Sequence, residues 1–138
     1  MRVRDWMRPY PATCAPGDGL DVVVRKMRDE ASGCVIAVDD LRRPLGIVTD
    51  RDVRRAAAAT AKPLHRILVS EAMTAPPATC QRDEDVAEAA SVLVRGRFRR
   101  LPVVNRAGIL VGILALDDLA WRRKLERPRV LAGAVGSR

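Results

Sequence analysis

Pro11-Ala12-Thr13-Cys14 recurs as Pro77-Ala78-Thr79-Cys80, a displacement of 66 residues. Carried along the chain without a gap, the same displacement lays Met7 on Met73, Val38 on Val104, Gly46 on Gly112, Ile47 on Ile113 and Asp52 on Asp118. A tetrapeptide recurs by chance. One that keeps a later glycine, isoleucine and aspartate in register marks an internal duplication, and a duplication bounds the architecture before any single element is read.

Working outward, each copy carries the same order of elements. A short helical start (Val3 to Met7; Val69 to Met73) leads through prolines to a short strand around Thr13 or Thr79. A helix follows: Leu20, Val23, Val24 and Met27 in the first copy, and Val86, Ala89, Ala90, Leu93 and Val94 in the second, fall at helical spacing. Asp18 suits the start of the first helix, and Asp83, Glu84 and Asp85 the positive end of the second. Gly33 and Gly96 punctuate the exits. Then come two strands joined by a turn: Val35 to Val38 and Leu45 to Val48 about Asp39 to Pro44, and Leu101 to Val104 and Ile109 to Leu114 about Asn105 to Gly108. A last helix begins near Asp50 and again near Leu116.

The expected fold class is therefore α+β: two pseudo-symmetric motifs, each helix-strand-helix-strand-strand-helix, packed through their small mixed sheets. The expected boundaries are 1–64, 65–124 and a basic tail at 125–138. Neither half is long enough to bury much alone. The two are expected to share one core and to leave clefts at a pseudo-two-fold interface.

Composition narrows the function classes. With 48% hydrophobic residues the chain has material for a core, and at 3% aromatics that core must be Val, Leu, Ile and Ala. Lys and Arg outnumber Asp and Glu 25 to 17, a net charge of +8. The arginines are spread along the chain with no recognition element of the usual kinds, so nucleic acid is not the expected partner. The longest apolar run, Ile109 to Leu116, is interrupted by Gly112 and falls far short of the roughly 20 residues of a spanning helix. No membrane partner is expected, and the expected location is cytoplasmic. Cys14, Cys34 and Cys80 form no CxxC and the one histidine is His65, so neither a metal site nor a Cys-His or Ser-His pair is proposed. The cysteines read as buried thiols. Walker and dinucleotide fingerprints are lacking, and an enzyme is not expected.

At certain residues a family resemblance becomes definite. The openings Val3-Arg4-Asp5-Trp6-Met7 and Val69-Ser70-Glu71-Ala72-Met73, the closing Gly46-Ile47-Val48-Thr49-Asp50-Arg51-Asp52, and the strand Arg99-Arg100-Leu101-Pro102-Val103 resemble those of the cystathionine-β-synthase (CBS) motif. The resemblance covers about residues 3 to 122. It implies a paired unit, the Bateman module, which commonly dimerises and commonly senses AMP, ADP, ATP or S-adenosylmethionine to control a partner protein. No cofactor is required by that reading.

The resemblance and the chemistry of the residues nominate a site. Thr49 ends a strand and opens a helix, where free backbone N–H groups attract phosphate. Asp52 presents a carboxylate suited to both ribose hydroxyls, the role that the family implies. Thr-x-x-Asp at a helix start is also a purely structural capping box, and the two roles can coexist. Arg99 and Arg100 suit phosphate because the guanidinium fork matches its oxygens. Thr13 and Thr79 are expected to flank the base, with Val35, Ile36, Leu101 and Val103 as aliphatic walls, residues that belong to the core under either reading. The second copy keeps Asp118 but has Ala115 where threonine is expected, and Gly33 and Cys34 stand where the first site would draw on Arg99 and Arg100. The two clefts are thus expected to be unequal, the second receiving no cation. The rival reading is a CBS pair that dimerises or binds proteins without a nucleotide; a basic nucleic-acid binder is less favoured. The tail, 128–138, reads as loosely ordered, with docking to an acidic partner as the alternative.

Overall fold

The computed structural model describes residues 1–119, so the tail and the basic segment at 121–124 lie outside the described residues. In chain order the elements are β1 (Arg8–Pro9), β2 (Thr13–Cys14), α1 (Leu20–Asp29), β3 (Cys34–Val38), β4 (Pro44–Thr49), α2 (Asp50–Thr60), α3 (Val69–Ala72), β5 (Cys80–Gln81), α4 (Val86–Gly96), β6 (Arg100–Val104) and β7 (Leu110–Ala115). Single 3-10 turns stand at Val3–Asp5 and Leu64–Arg66, and a helix opens at Leu116. The α+β repeat read from the sequence is the fold observed.

The duplicated tetrapeptides each feed a short parallel strand into an antiparallel hairpin. β2 runs beside β3 with Thr13 opposite Ile36, and β5 beside β6 with Cys80 opposite Val103. The hairpins share one register: Ala37 faces Gly46 across β3 and β4, and Val103 faces Gly112 across β6 and β7. Their turns are equivalent too. Asp39 Oδ1 accepts the N–H groups of Leu41 and Arg43, and Asn105 Oδ1 those of Ala107 and Ile109. Each turn has one left-handed residue, Arg42 (φ 62°) in the first and Gly108 (φ 81°) in the second. Glycine takes that conformation at no steric cost, whereas arginine does not.

The ends of the copies cross over. Val3 donates to the Glu84 carbonyl, β1 pairs antiparallel with β7, and Val3 and Trp6 are buried in the core of the second half. Conversely Ile67, Val69 and Ala72 are buried in the core of the first half, and Thr74 bridges to Ile47. Arg8 opposite Ile113 and Thr74 opposite Ile47 are the same contact under the 66-residue displacement. Each copy's opening segment therefore closes the other copy's sheet.

This exchange explains the paired methionines and glycines. A Cβ on Gly46 would lie 2.5 Å from Met73 Sδ, and one on Gly112 would lie 2.6 Å from Met7 Sδ and 2.9 Å from the Arg8 carbonyl oxygen. Gly46→Val is accordingly expected to destabilise the fold by about 1–3 kcal/mol, the scale of overpacking. The check is a lowered urea midpoint that Met73→Ala, added second, partly restores; an additive further loss would show that the two residues do not share that space.

Three details differ from the sequence reading. The buried residues form two clusters, one around Leu20, Val23, Val35 and Val48 and the other around Leu93, Leu101, Val103 and Leu114, where one shared core was expected. The reason is strand alternation: Val35 and Leu101 point to the helix-backed faces, whereas Ile36 and its equivalent Pro102 are buried on the opposite faces, outside both clusters. Asp18 does not cap α1. Its carboxylate accepts the Ala15 N–H, Gly19 occupies the cap, and the Leu20 N–H is satisfied by the Ile67 carbonyl. Finally, Gly96 is the last residue of α4, and Arg97 (φ 57°) takes the left-handed position after it. A Cβ on Gly96 would collide with the Phe98 ring at 2.2 Å, so the glycine serves the ring's approach.

No helix among the described residues is long and apolar enough to cross a membrane. All three cysteines are free and buried; burial pushes the thiol of Cys14 up to about 11 and that of Cys80 up to about 12, so both stay protonated at neutral pH.

Candidate functional site

Where β4 gives way to α2, the first turn of the helix is closed by its own side chains. The Thr49 N–H and hydroxyl donate to Asp52 Oδ2 at 2.9 and 3.1 Å, and the Asp52 N–H donates back to Thr49 Oγ1 at 3.4 Å. Asp52 Oδ1 accepts from the Thr74 hydroxyl at 3.3 Å and pairs with Arg55, one turn on. Asp52 is only 4% exposed and is the one buried charged residue among those described. A carboxylate so placed needs every one of these partners. The structural cap is therefore fully formed, and a ligand reaching Oδ1 would have to take the place of Arg55 or Thr74.

This helix start opens into a cleft of about 610 Å³ built from both halves. Thr49 and Asp52 line it from the first half and Arg99, Arg100 and Pro102 from the second, together with Ile47, Thr74, Pro76, Pro77, Ala78 and Phe98. Its volume lies well within the roughly 300–1,000 Å³ usual for small-molecule sites. Six arginines border it (Arg51, Arg54, Arg55, Arg97, Arg99 and Arg100) against the two carboxylates of Asp50 and Asp52, a formal surplus of four positive charges. Arg99 is paired with Asp117 at 2.9 Å and Arg55 with Asp52. Among the described residues no carboxylate lies within ion-pair distance of Arg51, Arg54, Arg97 or Arg100. Unbalanced like charges around a concave surface raise the local concentration of anions.

A smaller cleft of about 260 Å³ lies at the equivalent place in the second half and includes Ala115, Asp118, Gly33 and Cys34. It is not without cations, contrary to the sequence reading. Arg8 and Arg100 both line it. Arg8 reaches Asp118 from β1 through two contacts, Nε to Oδ2 at 2.7 Å and Nη2 to Oδ1 at 2.8 Å. Arg100 lies over Gly33, where a Cβ would stand 2.7 Å from its Nη2, and so borders both clefts. Burial pushes the Cys34 thiol up, with the nearby Arg100 opposing the shift.

The structure thus brings Thr49, Asp52, Arg99 and Arg100 to one cleft and places Asp118 in the other. Thr13 and Thr79 line neither. Thr13 is taken up in pairing with β3, and its carbonyl accepts from Lys26; in each tetrapeptide the preceding alanine, Ala12 or Ala78, reaches the cleft instead. Val35, Leu101 and Val103 are core side chains on the helix-backed faces, so the apolar walls of the larger cleft are Ile47, Pro76, Pro77, Phe98 and Pro102.

Sequence reasoning passed over Phe98, Thr74 and Arg8. Phe98 had a signal in Gly96-Arg97-Phe98, a glycine-marked helix exit beside the arginine pair. Its N–H donates to the Leu93 carbonyl at 2.9 Å, a closure that swings the ring to the cleft, where it is 38% exposed. Thr74 and Arg8 are equivalents under the repeat, each reaching the aspartate of its own site, with no local pattern to mark them.

Comparison with known proteins bears on the family and the fold. The family model described as CBS domain matches twice, over residues 3–59 and 69–123. An uncharacterised protein of Methanopyrus kandleri is 31% identical over 107 residues; the match takes in 78% of this chain but spans only 55% of that relative's length. A CBS domain protein of Pyrobaculum aerophilum, solved in complex with AMP, superposes with a TM-score of 0.81 at 25% identity, covering 91% of this chain and 95% of the other. A CBS domain pair solved with 5′-methylthioadenosine and S-adenosyl-L-methionine gives 0.82 at 21% identity over 92% and 98% of the two chains, a likeness of fold.

Proposed function

The chain belongs to the CBS-domain family, and from that premise we propose that it is a non-catalytic, cytoplasmic regulatory module that binds a phosphate-bearing adenosine nucleotide in the larger cleft and signals its occupancy to a partner protein. The observation that carries this reading is the meeting, in one cleft, of the Thr49/Asp52 helix start from the first half with Arg99 and Arg100 from the second. In this reading Asp52 Oδ1 exchanges its Arg55 and Thr74 contacts for ribose hydroxyls. The phosphate lies between the α2 N-terminus and the arginines, and the adenine rests among Ile47, Phe98 and the prolines. The surplus of positive charge favours AMP, ADP and ATP over S-adenosylmethionine, whose sulfonium is itself cationic. The reading includes a homodimer.

A thermal-shift panel of adenosine, AMP, ADP, ATP and S-adenosylmethionine tests it. A nucleotide at a hundred times its dissociation constant adds about 2.7 kcal/mol to the native state, a rise of roughly 5–15 °C for a chain of this size. The expected order follows phosphate count, with S-adenosylmethionine weakest. No shift with any phosphate-bearing member, or the largest with S-adenosylmethionine, contradicts the reading. Light scattering on the same samples is expected to give twice the monomer mass.

A further inference from the structure

The two aspartates related by the repeat, Asp52 and Asp118, are met by different residues from the exchanged opening segments. Thr74 and Arg8 occupy the same position in the duplication, and their backbones make the same contact, with Ile47 and Ile113 respectively. Thr74 offers Asp52 a single hydroxyl at 3.3 Å. Arg8 clamps both oxygens of Asp118, at 2.7 and 2.8 Å. A carboxylate that grips a ribose must keep acceptor positions free for two hydroxyls, and a bidentate guanidinium takes one on each oxygen. The backbone of Arg8 is fixed in β1 against β7, beside the helix that carries Asp118, while its side chain is 70% exposed and Asp118 23%. The cleft it enters is about 260 Å³ against about 610 Å³ for the other, below the size usual for a nucleotide-sized ligand.

We propose that Arg8 is a built-in occupant of the second cleft: its guanidinium holds Asp118 in the place of a ligand's ribose hydroxyls and keeps the module to one nucleotide per chain. The inference rests on the functional reading above for the kind of ligand, but not for its outcome. Removing the clamp frees both oxygens of Asp118 and leaves Arg100 at the wall as a cation for a phosphate, opposed by Glu30 and Asp117. Arg8 is then one of three differences between the sites, beside Ala115 in place of a threonine and a lining in which Glu30, Asp117 and Asp118 outnumber the arginines.

The test is calorimetric titration of AMP, and separately ATP, into the full chain and into Arg8→Thr, which installs the residue found at the equivalent position 74. Arg8→Thr is expected to gain one equivalent of nucleotide per chain over the wild type. The gained site is expected to bind about tenfold or more weakly than the first, since Ala115 supplies no hydroxyl. The gain is expected to vanish in Arg8→Thr/Asp118→Ala. Arg8→Gln, which removes the charge and shortens the side chain but keeps it polar and longer than threonine, serves if the threonine variant melts early. No gained equivalent in either folded variant, or two equivalents in the wild type, overturns the proposal. The wild-type titration reads the larger cleft separately: a wild type that binds none while Arg8→Thr binds one would overturn the reading of the first site and leave this one standing.

Discussion

Asp52→Ala is expected to lower nucleotide affinity by at least about a hundredfold, whereas Asp118→Ala leaves it nearly unchanged. Two ribose hydroxyls donating to a carboxylate form charge-assisted hydrogen bonds of about 1.5–3 kcal/mol each, and each 1.4 kcal/mol is a factor of ten. The same substitution also strips α2 of its capping partner and leaves Arg55 and Thr74 without theirs. A cap alone is worth about 0.5–2 kcal/mol, so the variant also loses stability, and binding must be measured where it is still folded. Asp52→Asn separates the roles. The amide oxygen still accepts from the Thr49 N–H, so the cap survives, but the charge and one of the two acceptors are gone. Affinity retained in Asp52→Asn, measured by calorimetry, would mean that Asp52 is a structural cap only.

Arg100→Ala is expected to weaken AMP binding by about 1–3 kcal/mol, the scale for truncating one charged partner of a hydrogen bond, with adenosine nearly unaffected. Arg99→Ala is expected to cost less. Arg99 stands in an exposed ion pair with Asp117, at 68% and 75% side-chain exposure, and part of its charge is spent there. Arg100, with no such partner among the described residues, faces the cleft unneutralised. Affinity for AMP is also expected to fall as salt rises, because an open arginine cluster is screened over a Debye length of about 8 Å at physiological ionic strength. Equal losses for AMP and adenosine would assign the arginines to folding or to the base.

Much of this was legible because the repeat supplied an internal control. Matching Val38 to Val104 and Gly46 to Gly112 fixed the hairpins, since a strand register that serves one copy must serve the other. Gathering Thr49 and Asp52 on a helix start needed only the capping pattern. Partners across the interface were harder, because local periodicity is blind to the exchange of opening segments: nothing near Arg8 in sequence points to Asp118, 110 residues away. The apolar walls of the cleft were hard to read for a different reason. Alternation in a short strand tells which residues share a face but not which face meets a cleft, so Val35 and Leu101 went to the core while Ile47 and Pro102 went to the site. Thr13 and Thr79 were the weakest inference for a related reason. A repeated residue need not face a cleft: Thr13 pairs with Ile36 in β2, and Thr79 stands just ahead of β5.

The central claim, one nucleotide site per chain in the cleft that joins the two halves, is tested most directly by titrating ATP into the wild-type protein in a calorimeter. A single saturable equivalent per chain is expected, lost in Asp52→Ala and kept in Asp118→Ala. Two equal equivalents, none at all, or a single one lost only in Asp118→Ala would contradict it.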